Sequence, residues 1–237
     1  MSLAGSVADL VGRGNVLIGV DFDGVLAPLV EHPDLAVPDP RAVSHLRRLA
    51  VRDNIEVAVI SGRSLADLRE RLGEIPGAVL VGEHGNDTGE EPPIPETIQL
   101  ARRFVETLRG NREITIEIKP RSVTFHTRNL TEDNAQESLD RIRAWAGQHS
   151  DVNLLEGKQV VELTVASRTK GDAIMELARN RDGIIYIGDD LTDETVFAVL
   201  GPQDIGVKVG PGPTAARFRV NDVDAVVELL EGIVTSH

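Results

Sequence analysis

Val16-Leu17-Ile18-Gly19-Val20-Asp21-Phe22-Asp23-Gly24-Val25-Leu26 is the stretch on which the reading of this 237-residue chain turns. Val16–Val20 is a short apolar run and reads as a buried strand. Two carboxylates then leave the strand end and enter a glycine turn. Side chains alternate along a strand, but glycine lets the backbone bend there. Both acids can then reach one crevice at the carboxyl end of a sheet, where open α/β folds bind ligands. Acids in that place suit a hard cation such as Mg2+ and a phosphate bound through it. The plainer alternative is a solvated Asp-Gly turn. A calcium loop of the EF-hand type fails on spacing: it requires Gly at its sixth position and Glu at its twelfth, where this chain has Gly24 fourth and His32 twelfth.

Outward from that stretch, short apolar runs alternate with amphipathic segments. The spacing predicts strands at Val16–Val20, Ile55–Ile60, Ala78–Val81, Ile184–Ile187 and Ile205–Val209. It predicts helices around Pro40–Arg52, Ser64–Leu72, Thr169–Arg179, Asp193–Leu200 and Val223–Ile233. Leu65, Leu68 and Leu72 recur at helical spacing behind Ser64, which is placed to cap them. Strands alternating with helices make parallel βαβ units, so the fold class is α/β with a doubly wound, Rossmann-like parallel sheet.

The middle third has a different rhythm. A proline cluster (Pro92, Pro93, Pro95) reads as a linker, followed by a helix around Thr97–Leu108 and two alternating runs, Glu113–Lys119 and Ser122–Arg128. With Pro120-Arg121 as a two-residue turn, Glu117 lies opposite Thr124, and directly paired residues share a face. Glu117, Lys119, Ser122, Thr124, His126 and Arg128 then form a polar face, and Ile114, Ile116, Ile118, Val123 and Phe125 an apolar one. A helix around Glu132–Gln148 and the runs Val152–Leu155 and Gln159–Val165 complete an α+β insert. The expected organisation is a core in two parts, residues 1–90 and 167–237, with a cap at 91–166.

With 38 acidic and 25 basic residues the formal charge is −13, which argues against a nucleic-acid or anionic-membrane partner. No cysteine is present, which excludes disulfides, thiolate metal sites and a thiol nucleophile. Met1–Gly14 has no long apolar core, and no later run approaches the ~18 apolar residues that span a bilayer. A cytoplasmic monomer acting on a small molecule is the expectation.

Three further motifs join the Asp21/Asp23 pair. Ser61-Gly62-Arg63 follows a strand and offers a hydroxyl with backbone N–H groups near a helix start, suited to an anion. Lys170-Gly171 opens a helix with a compact cation for a phosphoryl group. Gly188-Asp189-Asp190-Leu191-Thr192-Asp193-Glu194 is a second acidic cluster at a strand end. Singly each has a bland reading: a loop, a solvated lysine, a helix N-terminus. In this order they point to one phosphate and metal site.

The arrangement resembles the haloacid dehalogenase (HAD) superfamily of aspartate-nucleophile phosphohydrolases, whose cap of this kind is called C2-type. The resemblance implies Asp21 as nucleophile and Asp23 as general acid and base. It implies Ser61 and Lys170 as phosphoryl-binding groups. Mg2+ would be held by Asp21, the backbone carbonyl of Asp23 and Asp189, with Asp190 and Asp193 in support. Gly82-Glu83-His84-Gly85, Glu117-x-Lys119, His126-x-Arg128, Gly157-Lys158, Glu162 and Gly206-Val207-Lys208-Val209-Gly210 narrow it to trehalose-6-phosphate phosphatases. That implies a Mg-dependent phosphoric monoester hydrolase of trehalose biosynthesis, with Arg63, Glu117, Lys119, Arg128, Lys158 and Glu162 as substrate-binding residues. Thr164 stands where the family often has Arg, and Asp87 where it usually has Glu. These departures leave room for another sugar, polyol or pseudo-disaccharide phosphate. A receiver module is much smaller and lacks a cap; a mutase would return the phosphoryl group to sugar.

Overall fold

A computed structural model of the chain describes residues 2–30, 32–89, 96–109, 115–118, 122–127, 130–150, 152–157, 160–165 and 168–235. Its strands are β1 (Val16–Val20), β2 (Ile55–Ile60), β3 (Ala78–Val81), β4 (Thr115–Ile118), β5 (Ser122–His126), β6 (Val152–Gly157), β7 (Val160–Val165), β8 (Gly183–Gly188), β9 (Ile205–Val209) and β10 (Phe218–Val220). The α-helices are α1 (Leu3–Arg13), α2 (Pro40–Leu49), α3 (Leu65–Leu72), α4 (Glu96–Arg109), α5 (Glu132–Ala146), α6 (Lys170–Leu177), α7 (Glu194–Phe197) and α8 (Val223–Thr235). They group into two compact units, Met1–Glu91 with Arg168–His237, and Pro92–Ser167.

The first unit is a six-stranded sheet in the order β10-β9-β8-β1-β2-β3, parallel throughout. Every residue of β1 is buried, as expected of a strand covered on both faces. Its alternation sorts the two layers. Val16, Ile18 and Val20 pack with Val7 and Leu10 of α1, Leu46 of α2 and Leu230 of α8. Leu17 packs on the other face with Ile174 of α6 and Phe197 of α7. From β1 the sheet runs one way through β2 and β3 and the other way through β8, β9 and β10. The reversal of order falls between β1 and β8, and crevices at such points take ligands. Asp21 and Asp189 follow the ends of those two strands.

Two elements go beyond the strand–helix alternation. Ser2 caps α1 by accepting from Gly5 N–H, and the helix buries Val7, Leu10 and Val11, a stripe at i, i+3 and i+4. The short strand β10 closes the sheet edge. Helices α2, α5, α6 and α7 stop short of their predicted ends. The chain leaves α2 at Leu49 because Arg52 N–H turns back onto the Leu49 carbonyl before entering β2. α7 is a single turn, Glu194–Phe197.

The second unit is an antiparallel sheet, β4-β5-β7-β6, covered on one face by α4 and α5. Ile98, Ala101, Val105 and Leu108 of α4 and Ile142 of α5 bury Val123, Phe125, Val161 and Leu163. Glu117 pairs with Thr124, the register the hairpin parity demands. The proline cluster and the Pro120-Arg121 turn lie outside the described residues. Among the described residues no helix is long and apolar enough to cross a membrane.

Candidate active site

The acidic pair is placed by the backbone around it. Asp21 continues β1, its N–H donating to the Ile187 carbonyl at 3.0 Å. Phe22 is fully buried and its carbonyl accepts from the N–H groups of Leu26 and Ala27, which curls the chain. Gly24 has φ +73°, and a Cβ there would stand 2.1 Å from Oδ2 of Asp189. Glycine is therefore required twice over, for conformation and for the close approach of the two acidic loops.

Asp21 is 4% exposed. Its Oδ2 meets Lys170 Nζ at 2.8 Å and its Oδ1 accepts the Phe22 N–H at 2.6 Å. Lys170, buried at the first residue of α6, also donates to Asp193 Oδ1 at 2.8 Å. Thr169 and Asp172 form the capping box that sets this helix start. Burial alone would lower the Lys170 pKa, but Asp21 and Asp193 outweigh it and hold the ammonium above its ordinary value. Burial raises the Asp21 carboxyl well above its ordinary value despite Lys170, and the charge of Asp193 adds to the rise.

Asp193 is fully buried and its carboxylate organises the second acidic loop. Oδ1 accepts the Tyr186 hydroxyl at 2.7 Å, and Oδ2 accepts the N–H groups of Asp189 and Asp190 at 2.8 and 3.1 Å. Tyr186 keeps its proton, because burial drives its pKa far up. Asp190 Oδ1 turns back onto Thr192 and the Asp193 N–H. Beneath Asp189, the buried Lys208 ammonium donates to the carbonyls of Asp189 and Val209. Burial raises Asp189 to about 6, helped by Asp193 and Asp190.

Carboxylate oxygens of Asp21, Asp189 and Asp193 lie within 4.8 Å of one another. Hard oxygen donors of this kind fit Mg2+. Burial disfavours the charge on the Asp21 and Asp189 carboxyls, and a divalent cation bound there would offset that cost. Asp193, whose two oxygens accept from Lys170, Tyr186 and the Asp189 and Asp190 N–H groups, braces this group.

These groups open on a cleft of about 470 Å³ lined by Asp21, Asp23, Ser61, Arg63, Lys170 and Asp189 among others. Ser61 is 1% exposed and its Oγ accepts the Arg63 N–H at 3.3 Å. Arg63, expected among the substrate contacts, lines the cleft and grips Asp23 with two hydrogen bonds of 2.7 Å. His84 was absent from the expected site, yet its ring lines the cleft against Gly62, where a Cβ would come within 2.5 Å of it. Burial, then the charge of Lys170, lowers its pKa and keeps the ring neutral. Glu83 and His84 both hold positive φ, +47° and +57°. Non-glycine residues rarely do, and such strain concentrates at functional sites. Asp87, one of the two departures, accepts the Leu65 N–H at 2.9 Å and so helps start α3.

In the second unit, Glu117, Thr124 and Glu162 form one row across β4, β5 and β7. His126 shares their face, with Nε2 3.7 Å from a Glu117 oxygen. Thr164 pairs with Ser122 on that face. Lys119, Arg128 and Lys158 lie outside the described residues.

A parallel sheet with paired acids after its first strand, a buried lysine, a second acidic loop and an inserted α+β unit define a HAD-type protein. The chain belongs to the trehalose-phosphatase family, whose family profile matches residues 19–224. It is 34% identical to the trehalose-phosphate phosphatase of Mycobacterium avium, with 97% of this chain and 64% of that one covered. It is 36% identical to the bifunctional trehalose-6-phosphate synthase/phosphatase of Thermoproteus tenax, with 91% and 31% covered. The chain thus spans less than two thirds of the length of these curated relatives. Among solved structures, a trehalose-6-phosphate phosphatase from Aspergillus fumigatus shares the fold at a TM-score of 0.75 and 22% identity, with 99% and 98% of the two chains covered. A trehalose-6-phosphate phosphatase related protein is 26% identical at a TM-score of 0.59, with 92% and 96% covered.

Proposed function

We propose that the chain is a phosphoric monoester hydrolase that releases phosphate from trehalose 6-phosphate through an aspartyl-phosphate on Asp21. One observation carries this reading: Asp21 sits at the reversal of strand order, held by Lys170 at 2.8 Å and grouped with Asp189 within 4.8 Å. An oxygen of Asp21 attacks phosphorus while the bond from phosphorus to the sugar oxygen breaks. That oxygen keeps the bonding pair and takes a proton from Asp23. Asp23 then removes a proton from water, which attacks phosphorus, frees inorganic phosphate and restores Asp21. Lys170 and Ser61 bind the phosphoryl oxygens and hold the group in line. When bound at Asp21, Asp189 and the carbonyl of Asp23, Mg2+ supplies positive charge where two anions must approach. The chemistry is chiefly positioning and charge stabilisation.

Residues 1–90 and 167–237 serve as the catalytic core and 91–166 as the cap. In the cap, Glu117 and Glu162 supply fixed acceptors for sugar hydroxyls, together with Lys119, Arg128 and Lys158. Polar groups of this sort discriminate strongly, because a wrong sugar leaves them unpaired. Thr164 in place of a basic residue favours a second reading, a related disaccharide or pseudo-disaccharide phosphate.

Phosphate release from a panel of sugar phosphates with Mg2+ tests both. Trehalose 6-phosphate is expected to lead the panel, and Asp21→Asn to bind it but lose turnover by at least about 10³-fold. A hexose monophosphate preferred by more than about tenfold in kcat/KM, ~1.4 kcal/mol, removes trehalose. Near-wild-type turnover by Asp21→Asn removes the nucleophile.

A further inference from the structure

Between the cleft and helix α3 runs an alternating array of charges that the reaction described above does not use. Arg63 Nε donates to Asp23 Oδ2 and Nη2 to Asp23 Oδ1, both at 2.7 Å, a two-pronged grip that fixes the plane of the carboxyl group. The third prong, Nη1, donates to Asp67 Oδ2 at 2.7 Å. Asp67 Oδ1 accepts from Arg71 Nε at 2.8 Å, and Arg71 Nη1 ends the array on the Ala36 carbonyl at 2.7 Å. The guanidinium of Arg63 also lies over the Phe22 ring, 4.9 Å from its centroid. Its side chain is 9% exposed. Asp67 stands in the first turn of α3, where its own N–H donates to the capping Ser64 hydroxyl. The array is therefore rooted in a helix at one end and in backbone at the other.

We propose that Arg63 and Asp67 are positioning residues that hold the Asp23 carboxyl group in the attitude from which it serves the departing sugar oxygen. The inference rests on Asp23 being the acid of the proposed reaction. Asp23 lies past the strand end on a bent backbone, and its side chain is 37% exposed, so packing restrains its rotation less than it would in the core. Arg63 supplies that restraint only while Arg63 is itself held, and Asp67 anchors the prong that points away from Asp23. Stability is a poor reason for the array, since partly buried ion pairs must first offset the desolvation of their charges. Orientation is a better one, because misplacing a reacting group by about 1 Å costs on the order of 10²-fold in rate.

The dependence on leaving group tests it. A sugar alkoxide needs the proton of Asp23 as the ester bond breaks, whereas p-nitrophenolate departs readily without one. With saturating Mg2+, kcat/KM for trehalose 6-phosphate and for p-nitrophenyl phosphate is measured in wild type, Asp67→Asn and Arg63→Lys. The ratio of sugar to aryl substrate is expected to fall by about tenfold or more in both variants, ~1.4 kcal/mol of barrier specific to the acid step. Equal losses on both substrates, or no loss, overturn the proposal. Arg63→Lys keeps the charge and much of the stem but not the fork, so it decides the matter if Asp67→Asn melts early. If wild type cleaves the aryl ester but not trehalose 6-phosphate, the sugar assignment falls, and the same ratio taken with glucose 6-phosphate still tests the positioning. If wild type cleaves no phosphate ester, the phosphatase reading falls, and this proposal with it.

Discussion

Asp21 and Asp189 are carboxyls held in places that disfavour their charge. Burial leads in both cases; Asp193 adds repulsion, while Lys170 lowers both and outweighs it at Asp21. Both folded-state values lie above the ordinary 3.8. The metal-free fold therefore keeps protons that the unfolded chain has shed. Their contribution to stability is fully present below about pH 4 and is lost as pH rises through the raised values, about 6 for Asp189. A divalent cation replaces those protons. Mg2+ is thus expected to raise the melting temperature more at pH 8 than at pH 5, and its apparent affinity to fall as pH drops below about 6. Thermal scans with and without Mg2+ at the two pH values check this; an equal rise at both would separate the acids from the metal.

At the scale of the element, the candidate-site motifs were legible because each ends an apolar run or opens a helix. β1, β2, β3 and β9 begin and end where their apolar stretches do, and β8 takes in only the flanking Gly183 and Gly188. α1 escaped because its buried stripe is only Val7, Leu10 and Val11, in a segment weighed for membrane character rather than for a core face. β10 is three residues long, too short for any period. α1 nonetheless carries part of the core: Leu10 packs directly against Gly183 at the start of β8, leaving no room there for a Cβ. Leu10→Ala is expected to destabilise the fold by about 2–3 kcal/mol and to leave kcat/KM unaltered below the melting transition. Denaturant unfolding and a phosphate-release assay on the same preparation measure the two.

In the molecule as a whole, the proposed reading gives each of the two compact units its own task. The residues that meet in the first were picked out largely from residue types at strand ends and helix starts. The grip of Arg63 on Asp23 and Asp67 had no sequence signal, because these partners meet it only through folding of the loop and the first turn of α3. His84 carried a signal in its glycine-flanked motif, but a strained backbone has no signature in residue type. In the second unit, pairing parity alone aligned Glu117 with Thr124, and the β5–β7 pairing brings Glu162 into the same row. That division of labour predicts Glu162→Gln to lower kcat/KM for trehalose 6-phosphate by about 10²-fold while changing p-nitrophenyl phosphate hydrolysis by less than about threefold. A parallel loss on both substrates would place Glu162 in the chemistry instead.

The pairing of β1 with β8 also sets a timetable for biogenesis. Val16 aligns with Ile55 on one side and with Gly183 on the other. Once β2 has left the ribosome, β1 can zip to it, yet its opposite edge waits for a strand made about 160 residues after β1. At the usual ~5–20 residues per second of synthesis, that edge stands open for on the order of ten to thirty seconds. An apolar, unpaired edge is a template for stray association. The nascent chain is therefore most vulnerable while the insert is being translated, and Asp21 meets Lys170 only after about 150 further residues have been made.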